Sequence, residues 1–106
     1  MGERRHLFSE WFGAYDAILT PTVGVPTIPL SKVDEDSSIP NYLTRPANYL
    51  NLCSLAMPSG FSAGLPVGVQ VIGKPYAEGT VLRLGKAYQD ATDFHRQAPD
   101  LSALGL

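Results

Sequence analysis

Apolar residues recur at spacings of three and four in three parts of the chain, which predicts three helices. The first helix covers residues 3 to about 14 and the third covers residues 78 to about 92. The second covers residues 45–55, because Thr44 suits an N-cap and Pro46 suits a first helical turn. The apolar stripe of the first helix consists of Leu7, Phe8, Trp11, Phe12 and Tyr15.

Two strand patterns lie between these helices. Residues 16–20 have a continuous apolar centre, Ala17-Ile18-Leu19, which is typical of a strand buried on both faces. Residues 67–72 alternate, so neighbouring side chains are predicted to point to opposite sides of a sheet. One face would carry Val67, Val69 and Val71, and the other Gly68, Gln70 and Ile72.

A hairpin is predicted near the middle of the chain. A strand over residues 57–62, weakened by Pro58 and Gly60, would turn at residues 63–66 into the alternating strand. The order helix, strand, helix, hairpin, helix indicates an α/β or α+β fold. The 106 residues allow one domain at most.

Residues 21–40 form a proline-rich, acidic loop by composition. Prolines punctuate the segment and remove backbone donors, and residues 34–36 are all acidic. Those carboxylates are interpreted as a solvated loop surface rather than a cation site. Residues 26–29 fit a short PxxP ligand pattern, for which packing over the core is the preferred interpretation.

Charge and cysteine content exclude several classes of protein. Only 17% of residues are charged, below the usual share of roughly 25%, which indicates surface intended for burial. The net charge is −2 without a basic cluster, so nucleic acid is not expected as a partner. No apolar run approaches the roughly 20 residues of a membrane span, so no membrane is expected either. The single Cys53 cannot form an internal disulfide, and a cytoplasmic location is the default.

The residues themselves assemble no catalytic set. His6 and His95 lie at opposite ends of the chain, and neither has ligand-spaced partners. Cys53 is expected inside the second helix on its apolar face, where a thiol is inert. No serine stands in an S-x-x-K pattern. No metal and no cofactor are therefore predicted.

The chain contains the blocks YDAILTPT (15–22), LTRPANYLNLCSLAMPSGF (43–61) and GLPVGVQVIGKPYAEGTVL (64–82). In this order and spacing they resemble the C-terminal part of the amidase signature family, over about residues 4–100. That family includes amide hydrolases and the A-type component of glutamyl-tRNA amidotransferase. The resemblance implies an α/β fold in which residues 1–106 are a single partial domain, the C-terminal part of a mixed sheet flanked by helices.

The resemblance also implies what this chain lacks. The family hydrolyses C–N amide bonds with a serine nucleophile, a second serine joined through a cis peptide, and a lysine base. Those residues belong to a Gly/Ser-rich region that precedes everything matched here, and this chain has no Gly-Gly-Ser-Ser stretch. Amidase activity is therefore uncertain, and the chain is expected to be inactive alone.

The resemblance implies that this chain contributes one wall of a substrate pocket. In the family, the segment leading into the second helix approaches the substrate; the corresponding residues here are Asn41, Tyr42, Leu43, Thr44, Arg45 and Asn48. The alternative is that Thr44 only caps the helix and Asn48 only bonds nearby backbone. In the tRNA amidotransferases of the family, the residue at the Asn41 position is an aspartate that contacts the substrate glutamine's amino group. An amide supplies no such charge, which favours a general amidase.

Two functions and their partners stay open from the sequence. The first is the C-terminal segment of an amidase, whose partner is the N-terminal amidase portion and whose substrate is a small amide. The second is a non-catalytic truncated chain that self-associates through an exposed sheet edge as an oligomerising or binding module. A proline-motif ligand is a third and weaker interpretation.

Overall fold

A computed structural model describes residues 2–23, 25, 28–33 and 42–106 of the protein. Within these residues the structure has three helices and one sheet of three strands, and short 3-10 turns lie at Leu30–Lys32, Phe94–Arg96 and Ser102–Leu104. The helices and strands, in chain order, are α1 (Gly2–Phe12), β1 (Ala17–Pro21), α2 (Arg45–Tyr49), β2 (Cys53–Ser62), β3 (Leu65–Gly73) and α3 (Glu78–Ala91).

The three strands form an antiparallel sheet in the order β1-β3-β2, so β3 is central. Leu19, Val71 and Leu55 are directly opposite one another, and so are Thr20, Gln70 and Ala56 on the other side. The predicted alternation along residues 67–72 is therefore confirmed. We call the side with Val71 the α3 face and the side with Gln70 the Gln70 face.

The hairpin between β2 and β3 is also confirmed, but β2 begins at Cys53 rather than at residue 57, and the turn covers residues 63–64 rather than 63–66. Its turn residues Ala63 and Gly64 both have positive φ, 51° and 79°, as a tight turn matching the strand twist requires. The two residues that weakened the β2 pattern, Pro58 and Gly60, are where the register between the strands shifts. They produce a bulge rather than an end of the strand.

The predicted helix over residues 45–55 is too long. The structure ends α2 at Tyr49, because Asn51 adopts a left-handed conformation with φ 60°. The Leu52 N–H then donates to the Ala47 carbonyl over 2.8 Å, which with the Asn51-to-Asn48 bond of 3.3 Å is a Schellman motif. Cys53 consequently begins β2 instead of lying inside a helix.

The prediction that the strand at residues 16–20 is buried on both faces is wrong for the described residues. β1 is at the edge of the sheet, and Leu19 on its α3 face is 68% exposed. The reason is that α3 lies over β2 and β3 and does not cover Leu19. On the Gln70 face the exposed residues of β2 include Ser54, Ala56 and Pro58.

One buried cluster lies between α3 and the α3 face of the sheet, and Phe12, Ala47 and Ile72 are buried outside it. Met57 of β2, Val71 of β3 and Val81 of α3 form this cluster. Glycine allows the close approach, since a Cβ on Gly73 would lie 2.6 Å from Val81 Cγ1. The predicted third helix is confirmed, at Glu78–Ala91, as is the α/β class.

α1 is less enclosed than its stripe predicts. Phe12 is buried, and Phe8 packs on it edge-to-face with ring centroids 5.5 Å apart, but Leu7, Trp11 and Tyr15 are exposed. Across the described ranges, every helix is too short or too polar to cross a membrane.

Candidate substrate-facing segment

Most of the predicted substrate-binding residues lie in one turn and the helix that follows it. Tyr42 is 73% exposed, and Arg45 and Asn48 are exposed as well. Thr44 is half-buried at the N-cap position of α2. Asn41 lies outside the described residues. We call residues 42–48 the substrate-facing segment, after the role that the resemblance predicts for it; it presents polar side chains to solvent beside the Gln70 face.

Gln70 holds this segment against the sheet. Its side chain is only 3% exposed, and its Nε2 donates to the Leu43 carbonyl over 2.7 Å and to Thr20 Oγ1 over 3.0 Å. Buried polar groups are costly unless they are hydrogen-bonded, and both N–H groups of this amide have acceptors. The pair of bonds fixes the segment's backbone at the residue next to Thr44.

Sequence reasoning placed Gln70 on one face of the strand with Gly68 and Ile72 and gave it no role. Its two bonds span 27 and 50 positions of the chain, so no local pattern could have shown them. The signal that was present is an amide that shares its face of the strand with the apolar Ile72. A buried amide in such a place requires partners from elsewhere.

Thr22 and Gly68 lie beside Gln70 on the same face. The Thr22 N–H donates to the Gly68 carbonyl over 3.1 Å, which extends the β1–β3 pairing beyond Pro21. A side chain on Gly68 would approach Thr22 Oγ1 to 3.3 Å, so glycine keeps this surface open. Thr22 Oγ1 is buried and has no hydrogen-bond partner among the residues that the structure describes.

The arrangement can bind and orient a polar molecule, but it contains no nucleophile–base pair. Within the described part of the chain, no hydrogen bond joins a serine or cysteine side chain to a lysine or histidine side chain. Cys53 Sγ donates instead to the Lys74 carbonyl over 3.1 Å at the beginning of β2. The expectation of a thiol inside a helix is thus corrected to a half-buried thiol that bonds to backbone.

The remaining candidates of the sequence are scattered. His6 pairs with Glu10 on α1 at 3.1 Å, far along the chain from the half-buried His95. Over the described ranges, no group of three or more His, Cys, Asp or Glu side chains could hold a metal ion. Residues 34–36 and the first half of the 26–29 motif lie outside the described residues.

Comparisons with known proteins agree on one family. The family model described as Amidase matches residues 2–82. The A-type component of glutamyl-tRNA(Gln) amidotransferase from Desulforudis audaxviator is 43% identical over 98 residues, which are 90% of this chain and 20% of that relative. The protein of the same name from Chloroflexus aggregans is 40% identical with the same coverage.

A solved structure is similar in fold as well as in sequence. The crystal structure of the A-type component of glutamyl-tRNA(Gln) amidotransferase from Thermotoga maritima superposes with a TM-score of 0.68 at 40% identity. The match covers 74% of this chain and 18% of that one. The chain thus spans about a fifth of the length of the relatives it matches.

Proposed function

Because the chain belongs to the amidase family, we propose that it is the C-terminal segment of an amide hydrolase and forms one wall of the substrate pocket. The wall is the substrate-facing segment, through Tyr42, Thr44, Arg45 and Asn48, together with Asn41 just before it. The observation that carries the proposal is the Gln70 amide bonded to the Leu43 carbonyl. A pocket wall needs a fixed backbone, and this bond supplies it.

The chemistry itself is assigned to the rest of an amidase. The resemblance puts the two serines and the lysine in a region that this chain does not contain, and the described residues hold no nucleophile–base pair. We therefore expect the chain alone to hydrolyse no amide. Its partner is the N-terminal amidase portion, and a cytoplasmic location belongs to the same proposal because one cysteine gives no disulfide framework.

The proposed substrate is an amide without a nearby cationic amine. The position that an aspartate occupies in the tRNA amidotransferases of the family is Asn41 here. A carboxylate binds a cationic amine with a charge-assisted bond that an amide side chain cannot match. The relatives named above are amidotransferase components, so this residue is where we expect the present chain to differ from them in substrate preference.

A chimera tests the proposal. The matching segment of the Thermotoga maritima relative is replaced by this chain, and ammonia release is measured from propionamide and from glutamine. We expect hydrolysis of propionamide, with KM raised about tenfold by Thr44→Ala or Asn48→Ala through loss of a hydrogen bond to substrate. Gln89→Ala, on the exposed side of α3, is the matched control and should leave KM unchanged.

The same chimera tests the substrate class. Asn41→Asp should shift the ratio of kcat/KM values toward glutamine by about tenfold, since one charged hydrogen bond is added. If Thr44→Ala and Asn48→Ala leave KM unchanged in a folded, active chimera, the proposal of a pocket wall is refuted. An unchanged ratio in Asn41→Asp would refute the substrate class alone.

A second candidate function, self-association, is favoured by the edge of β1. Thr22 bonds to Gly68, and antiparallel pairs alternate, so the N–H groups of Ala17 and Leu19 point away from β3. The missing N–H of Pro21 also falls on that outer side, where a proline is tolerated. A second β1 centred on Leu19 could exchange reciprocal bonds with this edge and cover the exposed leucine.

Sedimentation distinguishes this second function from the first. If self-association is the function, the purified chain is a dimer and Leu19→Lys, which places a charge in the new pairing, converts it to a monomer. The matched control is Ala56→Lys on the opposite edge strand, which is also exposed. A monomer in the unmodified chain would exclude the second function.

A further inference from the structure

A cavity of about 620 Å³ is lined by residues from α1, from the turn between α2 and β2, and from the residues just after β3. Its size is in the range of sites for small organic molecules. It shares no residue with the substrate-facing segment. No assigned role of the chain accounts for it.

The charged residues that line this cavity are all basic or able to become so. They are Arg5 and His6 from α1 and Lys74, which directly follows β3. No acidic residue is among the described lining residues. His6 already pairs with Glu10, and both side chains are largely exposed. Arg5 and Lys74 have no carboxylate within salt-bridge distance among the residues that the structure describes. They are the groups that lack a counter-ion.

Both cations are held in place by uncharged partners. Arg5 Nε donates to the Tyr49 carbonyl over 3.4 Å, which leaves the forked terminal nitrogens of its guanidinium for another acceptor. Lys74 Nζ lies over the ring of Phe12, 5.8 Å from its centroid. A cation–π contact orients an ammonium without neutralising it. Positive charge is therefore concentrated at the cavity, and no carboxylate among the described residues matches it.

The remaining wall is mostly apolar. Its apolar side chains are Phe8, Phe12, Leu50, Leu52 and Pro75, and the other lining residues are Gly2, Ser9, Gly13 and Asn51. Phe12 is almost completely buried, and Phe8 packs against its edge, so this part of the wall is fixed. A ligand that fits must present a negative group to the cations and an apolar group to these side chains.

We propose that this cavity binds a small amphipathic anion, with a carboxylate or phosphate head between Arg5 and Lys74 and an apolar body against Phe8, Phe12 and Leu50. A guanidinium recognises either head group through its fork, while an ammonium acts as a point charge. The apolar body adds affinity in proportion to the area that it buries. Both halves of the ligand are needed for useful binding.

The test uses four probes with the full 106-residue chain, with binding followed by calorimetry and by backbone amide shifts. Benzoate and phenyl phosphate carry both halves of the ligand, inorganic phosphate carries only the head, and benzyl alcohol only the ring. We expect at least one complete probe to bind about tenfold or more tightly than either half-probe. The tighter of the two identifies the head group. The shifts should centre on residues 50–52 and 74–75.

Variants establish the site. Lys74→Gln and Arg5→Gln should each weaken the tighter complete probe about tenfold, as expected for losing a charged hydrogen bond. Lys86→Gln is the matched control, because that lysine is exposed on α3 and paired with Asp90 at 3.0 Å. If Arg5→Gln unfolds α1, the affinity of Lys74→Gln for the probe and the map of amide shifts decide whether the site is where we propose. Equal weakening by Lys86→Gln, unchanged binding in Lys74→Gln, or half-probes that bind as tightly as complete ones would overturn the proposal.

Discussion

The two faces of the sheet are stabilised by different interactions. On the α3 face, Met57, Val71 and Val81 are packed against one another, and glycine at position 73 lets the helix approach the strand. On the other face the main long-range link is polar, from the Gln70 amide to Thr20 and to the Leu43 carbonyl. Apolar packing dominates on the α3 face, whereas on the Gln70 face the directions of these hydrogen bonds add to the burial of Ile72.

This difference separates stability from positioning. Apolar burial is non-directional and scales with area, so it stabilises the fold without fixing any one backbone atom. A hydrogen bond contributes little net stability, but it fixes a donor and an acceptor within a few tenths of an ångström. The segment proposed to face the substrate is on the hydrogen-bonded side, where position matters most.

The largest expected effect is on the α3 face. Met57→Ala removes a side chain that is 5% exposed at the centre of the core, and should lower the free energy of unfolding by about 2–5 kcal/mol. Leu82→Ala, on the exposed side of α3, is the control and should change it by less than about 0.5 kcal/mol. Urea denaturation measures both. Similar losses in the two variants would mean that α3 does not close this core.

A smaller effect on the same face comes from overpacking. A methyl group at Gly73 meets the stiff, buried Val81 at 2.6 Å and Cys53 Sγ at 3.1 Å. Gly73→Ala should therefore cost about 1–3 kcal/mol of unfolding free energy. Gly79→Ala is the matched control, because its methyl group meets nothing within 4 Å and alanine favours the helix. The comparison fails if both variants melt at the same temperature.

The smallest expected effect on stability belongs to the Gln70 face. Gln70→Leu leaves the Leu43 carbonyl without its donor but keeps an apolar stem, so the expected loss is about 1 kcal/mol. Amide hydrogen exchange should accelerate within residues 42–50 and remain unchanged in α3. Gln89→Leu is the exposed control. Faster exchange in α3, with none in the segment, would contradict the assigned role of Gln70.

The sequence predicted the regions whose contacts are close along the chain. The hairpin follows from the turn at Gly64 and the alternation after it, and α3 follows from its spacing of apolar residues. In both cases the partner strand or face is a near neighbour in the chain. The resemblance added the family, and with it the position of the substrate-facing segment.

The sequence did not predict features that depend on distant partners. The apolar run through Cys53 continues the helical spacing of α2, yet the left-handed Asn51 ends that helix before it. The run Ala17-Ile18-Leu19 suggested cover on both sides, but only contacts elsewhere in the fold could show that Leu19 is uncovered. The role of Gln70 depends on its hydrogen bonds to Leu43 and Thr20, which are distant from it along the chain.

Whether Gln70 positions the segment while Met57 stabilises the fold is decided by comparing Gln70→Leu with Met57→Ala in the amidase chimera. For each variant, KM for propionamide and the melting temperature are determined side by side. We expect Gln70→Leu to raise KM about tenfold with a small change in melting, and Met57→Ala to lower melting strongly with KM nearly unchanged. If KM is unchanged in Gln70→Leu, or rises equally in both variants, the result would contradict the claim that Gln70 positions the substrate-facing segment.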